Sequence, residues 1–157
     1  MSDALIVGCG YTGLRLARRL REAGHRVTGT TRDPDRATRL AEEGIRPLLA
    51  DLGTREGVRK LEREGPDLVF HLAPPVEGTG GEPAVEGVIR ALRRAPLEAF
   101  VYGSSTSVYG DRDGAWVDEE TVPEPDSSTG RARLEAERTV LRCGWEWDCR
   151  PRIGRIA

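Results

Sequence analysis

Short apolar runs alternate with longer segments of helical periodicity along the whole chain. Between the runs, apolar residues recur every three or four positions, as in helices that bury one face. Alternation of this kind predicts an α/β fold with a doubly wound parallel sheet of about six strands and helices on both faces. The helical segments lie at 14–20, 34–43, 54–61, 83–94 and 129–142. The predicted strands are Leu5–Val7, Val27–Thr31, Ile45–Ala50, Leu68–Leu72, Ala99–Tyr102 and a segment near Cys149–Ile156.

Two stretches depart from this alternation. Residues 74–81 are rich in proline and glycine and have no periodicity, which predicts a loop. Pro151 lies inside the last predicted strand. Because proline has no N–H for a strand ladder, we expect this strand to be irregular or frayed.

A glycine motif follows the first predicted strand and opens the first helix. It reads Gly8-Cys9-Gly10-Tyr11-Thr12-Gly13, a G-x-G-x-x-G pattern in the strand–turn–helix context that a Rossmann-like dinucleotide site requires. The three glycines serve the tight turn, the approach of backbone to a pyrophosphate, and helix–strand packing. The helix N-terminus favours negative charge. The motif predicts cofactor contacts from these residues: Gly8, Gly10, Tyr11, Thr12 and Gly13.

The end of the second strand bears on which dinucleotide is bound. An acidic residue there would bind the ribose 2′-hydroxyl of NAD. This chain has Thr31 and Arg32 instead, and a guanidinium can form a bidentate pair with a 2′-phosphate. Asp33 precedes Pro34, a combination typical of a helix cap. The sequence therefore predicts NADP as the cofactor, with NAD as the alternative.

Composition excludes several other functions. The 157 residues fit one domain, and 24 basic residues against 26 acidic ones give a net charge of −2, which disfavours a nucleic-acid partner. No run approaches the roughly 18 apolar residues of a membrane helix, so we expect a cytoplasmic protein with no membrane partner. Three cysteines and two histidines have no zinc-site spacing, so no metal is predicted.

The segment Tyr102–Gly110 reads Y-G-S-S-T-S-V-Y-G. It resembles the S-S-x-x-V-Y-G of the extended short-chain dehydrogenase/reductases, the NAD(P)-dependent epimerase/dehydratase family, and the resemblance covers nearly the whole chain. It implies that Ser105 is the catalytic hydroxyl, with Ser104 beside the cofactor. Further cofactor contacts implied by the resemblance follow the third and fourth strands, at Asp51, Leu52, Leu72, Ala73 and Pro74.

The chain departs from the family at the next motif. Where the family has Tyr-Gly-x-Ser-Lys, this sequence places Thr129 at the tyrosine and Arg133 at the lysine. A threonine hydroxyl is a far weaker acid than a phenol, and an arginine does not give up its proton. Arg133 can still bind the nicotinamide ribose. The resemblance therefore implies an atypical member without the usual Tyr–Lys catalysis, in which Tyr11 or Tyr109 could substitute as the base.

Several alternatives stay open from the sequence. The chain is either an epimerase/dehydratase-like oxidoreductase acting on a small molecule such as a nucleotide sugar, or a non-catalytic NADP-binding sensor or partner module. A phosphate- or flavin-binding domain of related fold is a third alternative. We expect residues 1–157 to form one NAD(P)-binding domain, with the family's C-terminal substrate region absent from this chain. The helices at 83–94 and 129–142 correspond to the family's dimer surface, so a homodimer is a further expectation.

Overall fold

A computed structural model of the protein describes residues 1–74, 83–147 and 149–157, without the side chains of 83–84 and 145–147. A short 3-10 helix covers Thr106–Tyr109. Most of the predicted loop at 74–81 lies outside the described residues. The strands are β1 Asp3–Val7, β2 Arg26–Thr31, β3 Arg46–Leu49, β4 Leu68–His71, β5 Ala99–Ser105 and β6 Arg150–Ile156. The helices are α1 Tyr11–Glu22, α2 Pro34–Glu42, α3 Arg55–Leu61, α4 Pro83–Leu92 and α5 Ser128–Trp147.

The strands form one parallel sheet in the order β3-β2-β1-β4-β5-β6. This confirms the predicted doubly wound α/β fold. The order reverses between β1 and β4, so the loops that leave these two strands diverge and open a crevice at the carboxyl edge of the sheet. Ligands of doubly wound proteins bind in such a crevice.

The core lies on both faces of the sheet. In β1, Leu5 and Val7 belong to the cluster under α3, α4 and α5, whereas Ala4 and Ile6 belong to the cluster under α1 and α2. A central parallel strand buried on both sides explains why β1 is a continuous apolar run rather than an alternating one. The three cysteines are buried in these layers, at Cys9, Cys143 and Cys149.

Both edge strands contain a proline. Pro47 lies in β3 and Pro151 in β6, and an edge strand needs ladder donors along one side only. The expectation that β6 would be irregular is wrong, because β6 pairs with β5 at seven consecutive positions. A Cβ on Gly144 of α5 would collide with the ring of Pro151, so the missing side chain allows α5 to pack directly on this strand.

A buried ion pair ties β6 to α5 and to the chain that follows the 3-10 helix. Arg155 donates two hydrogen bonds to the Glu137 carboxylate, at 3.0 and 2.8 Å, and a third to the Tyr109 hydroxyl at 2.8 Å. This hydroxyl donates to the carbonyl oxygen of Asp118 at 2.6 Å. The bonds to Glu137 raise the pKa of Arg155 above its usual value. The phenol of Tyr109 is therefore fully engaged in joining structural elements.

Candidate functional site

The glycine loop between β1 and α1 leaves no room for a side chain at Gly8 or at Gly13. Gly8 has a φ of +86°, and a Cβ there would lie 2.6 Å from the backbone N and Cα of Ala73, in the loop after β4. A Cβ on Gly13 would lie 2.9 Å from the Gly8 carbonyl oxygen. The Gly8 N–H donates to the Thr30 hydroxyl at 2.8 Å, and the Cys9 N–H to the Thr30 carbonyl oxygen at 2.9 Å. These contacts fix the loop between β1, β2 and β4.

The N-terminus of α1 is open to an anion. Its N-cap is Gly10, no side chain caps the helix, and its first turn has no acidic residue. A Cβ on Gly10 would meet only the Arg36 guanidinium, at 3.6 Å. Tyr11 and Thr12 are exposed in the first turn. Unpaired N–H groups at a helix start, together with the helix dipole, favour binding of phosphate.

A cavity of about 720 Å³ opens beside this loop at the carboxyl edge of the sheet. A second cavity, of about 540 Å³, lies at the opposite edge and is lined by the paired charges Arg26–Asp3 and Arg46–Glu64. Nine residues predicted from the sequence line the cavity at the carboxyl edge: Gly8, Gly10, Thr31, Arg32, Asp51, Leu52, Leu72, Ala73 and Pro74.

Arg36 is a charged residue of this cavity that the sequence did not single out. It lies in the first turn of α2, which Asp33 caps through a carboxylate that accepts from the N–H groups of Asp35 and Arg36. Arg32 and Arg36 are four residues apart and line the same cavity, and neither forms an ion pair with a carboxylate in the part of the chain the structure describes. The sequence did contain a signal for Arg36, because it is a basic residue in the first helical turn after the predicted cap, Asp33.

Asp51 follows β3 at the cavity wall. Its carboxylate accepts the Gly53 N–H at 3.0 Å, and its side chain is exposed. The next residues start α3, where the Thr54 hydroxyl accepts the Gly57 N–H. Asp51 therefore combines a turn contact with an accessible carboxylate beside Leu52.

The remaining predicted residues gather at the end of β5. The Ser105 hydroxyl accepts the Ser107 N–H at 3.2 Å and caps the 3-10 helix. Arg133, in the second turn of α5, donates to the Gly103 carbonyl oxygen at 2.9 Å, two residues before Ser105. Thr129 is exposed in the first turn of α5. The start of α5 can approach the 3-10 helix because residue 130 is a glycine. A Cβ at this position would collide with the Ser107 carbonyl oxygen.

Buried polar atoms without a partner concentrate in this second region. Among the described residues they are His71 Nδ1 and Nε2, Ser104 Oγ, Ser107 Oγ and Arg133 Nε. All four residues lie at the ends of β4 and β5, in the 3-10 helix or in the second turn of α5. Each unmade buried hydrogen bond costs about 1 to 3 kcal/mol, so a polar ligand here would relieve several penalties at once.

His71 is a neutral member of this group. It is 1% exposed, and its ring lies 5.6 Å from that of Tyr102, its partner in the β4–β5 register. Burial lowers the pKa of His71 to about 4, and the positive charge of Arg133 contributes in the same direction. The sequence placed this histidine next to the cofactor segment but did not assign it a role.

Three other groups could have served as a base or nucleophile, the phenols of Tyr109 and Tyr11 and the thiol of Cys9, and their surroundings do not favour that role. The phenol of Tyr109 is occupied by Arg155 and Asp118, as described above, and the exposed ring of Tyr11 is covered by the Arg15 guanidinium at 3.5 Å. Burial raises the pKa of the Cys9 thiol to about 11, so it stays protonated at neutral pH.

No cluster of metal-ligating side chains occurs among residues 1–74, 83–147 and 149–157. Over the same ranges, none of the helices has the length and apolar character to span a bilayer.

The strand order and the glycine loop define a Rossmann-like α/β protein. Comparison with protein families narrows this class. Residues 4–157 match the model of the NAD dependent epimerase/dehydratase family, and the chain belongs to that family.

Several known proteins are similar to this chain in sequence or in fold. Protein YeeZ of Escherichia coli is 31% identical over 144 residues, which cover 87% of this chain and 52% of that protein. A functionally unknown conserved protein from Silicibacter pomeroyi has a structure with a TM-score of 0.78 and 31% identity, over 100% of this chain and 52% of the other. The UDP-Glc/GlcNAc 4-epimerase of Campylobacter jejuni shares the fold, with a TM-score of 0.83 at 21% identity over 99% and 53% of the two chains. The chain spans about half the length of these relatives.

The close approach of Gly8 to Ala73 predicts an unequal effect of two glycine substitutions. Gly8 and Gly24 both have a φ of +86°, but nothing lies within 4 Å of a Cβ on Gly24. We expect Gly24→Ala to lower the free energy of unfolding by about 1 to 2 kcal/mol, from its backbone conformation alone. Gly8→Ala should cost about 1 to 3 kcal/mol more, because its Cβ must displace backbone. Urea denaturation measures both losses, and equal losses would contradict the packed geometry.

The burial of neutral His71 predicts a pH dependence of stability. In the unfolded chain its pKa returns to about 6.5, so between that value and about 4 the unfolded state binds the proton more readily. Its contribution to stability is complete above pH 6.5 and is lost as the pH falls toward 4. Between about pH 7 and about pH 5, His71 should account for about 2 kcal/mol of lost unfolding free energy.

Denaturation of His71→Phe over the same pH range tests this assignment. The variant should lack that part of the pH dependence, whereas His25→Asn, which removes the other histidine, should retain it. An unchanged pH dependence in His71→Phe would refute the assignment.

Proposed function

We propose that this protein binds a nicotinamide dinucleotide in the cavity at the carboxyl edge of the sheet and prefers NADP to NAD. The observation that carries the proposal is the glycine loop, in which Gly8 packs against the backbone of Ala73 with no room for a side chain. This loop opens onto the start of α1, which has no side-chain cap and no acidic residue in its first turn. A pyrophosphate fits this arrangement of open N–H groups and glycines. The family to which the chain belongs is described as NAD dependent, which supports the same class of cofactor.

The proposal distributes the cofactor along the crevice. The start of α1 would bind the pyrophosphate, Thr31 and Arg32 the adenosine ribose, and Asp51 and Leu52 the adenine. Leu72, Ala73 and Pro74 would line the path toward the nicotinamide end. Ser104 and Arg133, which have buried polar atoms without partners, would bind there.

Charge supports the preference for NADP. The guanidiniums of Arg32 and Arg36 line the cavity, and neither forms an ion pair among the described residues. Guanidiniums form strong charge-assisted hydrogen bonds with phosphate. The exposed carboxylate of Asp33 accepts the N–H groups that begin α2 through Oδ1, so this residue has a capping role in the fold. A 2′-phosphate would thus meet two positive charges.

We further propose that the chain is the cofactor-binding part of an epimerase/dehydratase-like oxidoreductase with an atypical active site. A bound nicotinamide supplies the hydride chemistry, and the protein supplies orientation and electrostatics. Ser105 presents a hydroxyl at the end of β5, where a substrate oxygen would approach. At the family's tyrosine position Thr129 is exposed, and its hydroxyl is too weak an acid to replace a phenol as a general acid or base. Nucleotide sugars are the substrate class to test first, because the structural neighbour from Campylobacter jejuni is an epimerase of UDP-Glc/GlcNAc.

A non-catalytic NADP-binding module is the alternative. Substrate-dependent oxidation or reduction of bound nicotinamide, followed by its absorbance, distinguishes the two functions. Thr129 at the family's tyrosine position suits this alternative, whereas the hydroxyl of Ser105 and the guanidinium of Arg133 at the proposed nicotinamide end support the enzyme.

Calorimetric titration with NADP and NAD tests the binding proposal and its specificity. Arg32→Ser and Arg36→Ser should each weaken NADP binding about tenfold or more, because each removes a charge-assisted contact to the 2′-phosphate, and should leave NAD binding unchanged. The matched control is Arg39→Ser, an exposed arginine in the last turn of α2 that does not line the cavity. It should bind NADP like the unmodified protein.

The outcomes separate the two parts of the proposal. Absence of binding to both dinucleotides rejects the function itself. Equal affinity for NADP and NAD, or an equal loss in all three arginine variants, rejects the preference for NADP while leaving dinucleotide binding intact.

A further inference from the structure

Tyr102 places a phenol beneath the proposed nicotinamide end of the site. It lies in β5, is 2% exposed, and packs its ring against that of His71. Its hydroxyl oxygen accepts a hydrogen bond from Arg133 Nη1 at 3.1 Å. The same Nη1 donates to the carbonyl oxygen of the next residue, Gly103, at 2.9 Å.

The Tyr102 hydroxyl and the Gly103 carbonyl oxygen orient the positively charged guanidinium of Arg133. Among the described residues Arg133 forms no ion pair, and its Nε–H is buried without a partner. A guanidinium is planar, so anchoring one nitrogen to two acceptors restricts the directions of its other N–H groups. The unpartnered atoms of His71 and Ser104 lie on neighbouring strands.

A second tyrosine–arginine contact, between Tyr109 and Arg155, differs from the first in how the charge of the guanidinium is balanced. Tyr109 also accepts from an arginine, Arg155, at 2.8 Å, but the Glu137 carboxylate binds that guanidinium through two hydrogen bonds. The charge of Arg155 is therefore used within the fold. Within the described part of the chain, the hydrogen-bond acceptors of Arg133 are neutral oxygens, so its charge and its Nε–H donor are left for a ligand.

We propose that Tyr102 is a positioning residue: its hydroxyl orients the Arg133 guanidinium so that the remaining N–H donors bind the nicotinamide ribose of the dinucleotide. This inference rests on the proposed function, because it requires a dinucleotide in the crevice. Tyr102 does not contact the cofactor itself. A phenylalanine at this position would keep the aromatic ring beside His71 and remove the hydroxyl that accepts from Arg133.

Titration with two ligands separates positioning from a general structural effect. NADP occupies both ends of the proposed site, whereas 2′,5′-ADP occupies only the adenosine end. Tyr102→Phe should weaken NADP about fivefold to tenfold and leave the affinity for 2′,5′-ADP unchanged. The matched control, Tyr109→Phe, also removes a buried phenol–guanidinium hydrogen bond, and it should change neither affinity.

A double-mutant cycle tests whether Tyr102 acts through Arg133. Arg133→Met should weaken NADP at least as much as Tyr102→Phe, again without an effect on 2′,5′-ADP. Adding Tyr102→Phe to Arg133→Met should then change nothing further, because the group to be positioned is gone. If Tyr102→Phe does not fold, Tyr102→Met takes its place and the ratio of the two affinities is compared in the same way.

Three results would overturn the inference: an unchanged NADP affinity in Tyr102→Phe, a parallel loss for NADP and 2′,5′-ADP, or additive effects of the two substitutions. Its failure is distinct from failure of the proposed function. If the unmodified protein binds neither ligand, the proposed function is wrong and the inference falls with it. If the protein binds both ligands and Tyr102→Phe behaves like the unmodified protein, only the role of Tyr102 is rejected.

Discussion

The contact between the glycine loop and the backbone after β4 is the constraint on which the site depends. Gly8 approaches Ala73 so closely that a single methyl group would have to move the main chain. This approach occurs where the strand order reverses, between β1 and β4. It fixes the start of α1 at the crevice, with its N–H groups unopposed by any acidic side chain in the first turn. The proposed binding of a pyrophosphate follows from backbone geometry before any charged side chain is considered.

Arginine serves two purposes in this chain, and the partner of each guanidinium distinguishes them. Arg155 is bonded to the buried carboxylate of Glu137 and joins β6 to α5. Arg32, Arg36 and Arg133 have no carboxylate partner among the described residues, and they lie along the crevice or at the end of β5. A chain with a net charge of −2 can therefore present a locally positive site to an anionic ligand.

The sequence predicted the fold and most of the residues that line the cavity at the carboxyl edge, because both depend on local patterns. Strand–helix alternation and a glycine motif in its proper context are sufficient for the sheet and for the start of α1. The regularity of β6 could not be predicted, since the tolerance for Pro151 depends on its place at the sheet edge. The group around His71 and Tyr102 also depends on the register between β4 and β5, which brings together residues 31 positions apart. Arg36 belongs to the cavity because α2 packs beside the glycine loop, a relation that spacing alone does not give.

The most direct test of the account is an amide NMR titration of the protein with NADP, since it locates the ligand without reference to activity. The account predicts the largest shifts at the carboxyl edge, at Gly10, Thr12 and Arg32. It predicts unchanged signals for Gly24 and Gly44, which lie at the opposite edge, where the second cavity is. Shifts concentrated at that opposite edge, or no shifts at the glycine loop at saturating NADP, would contradict it.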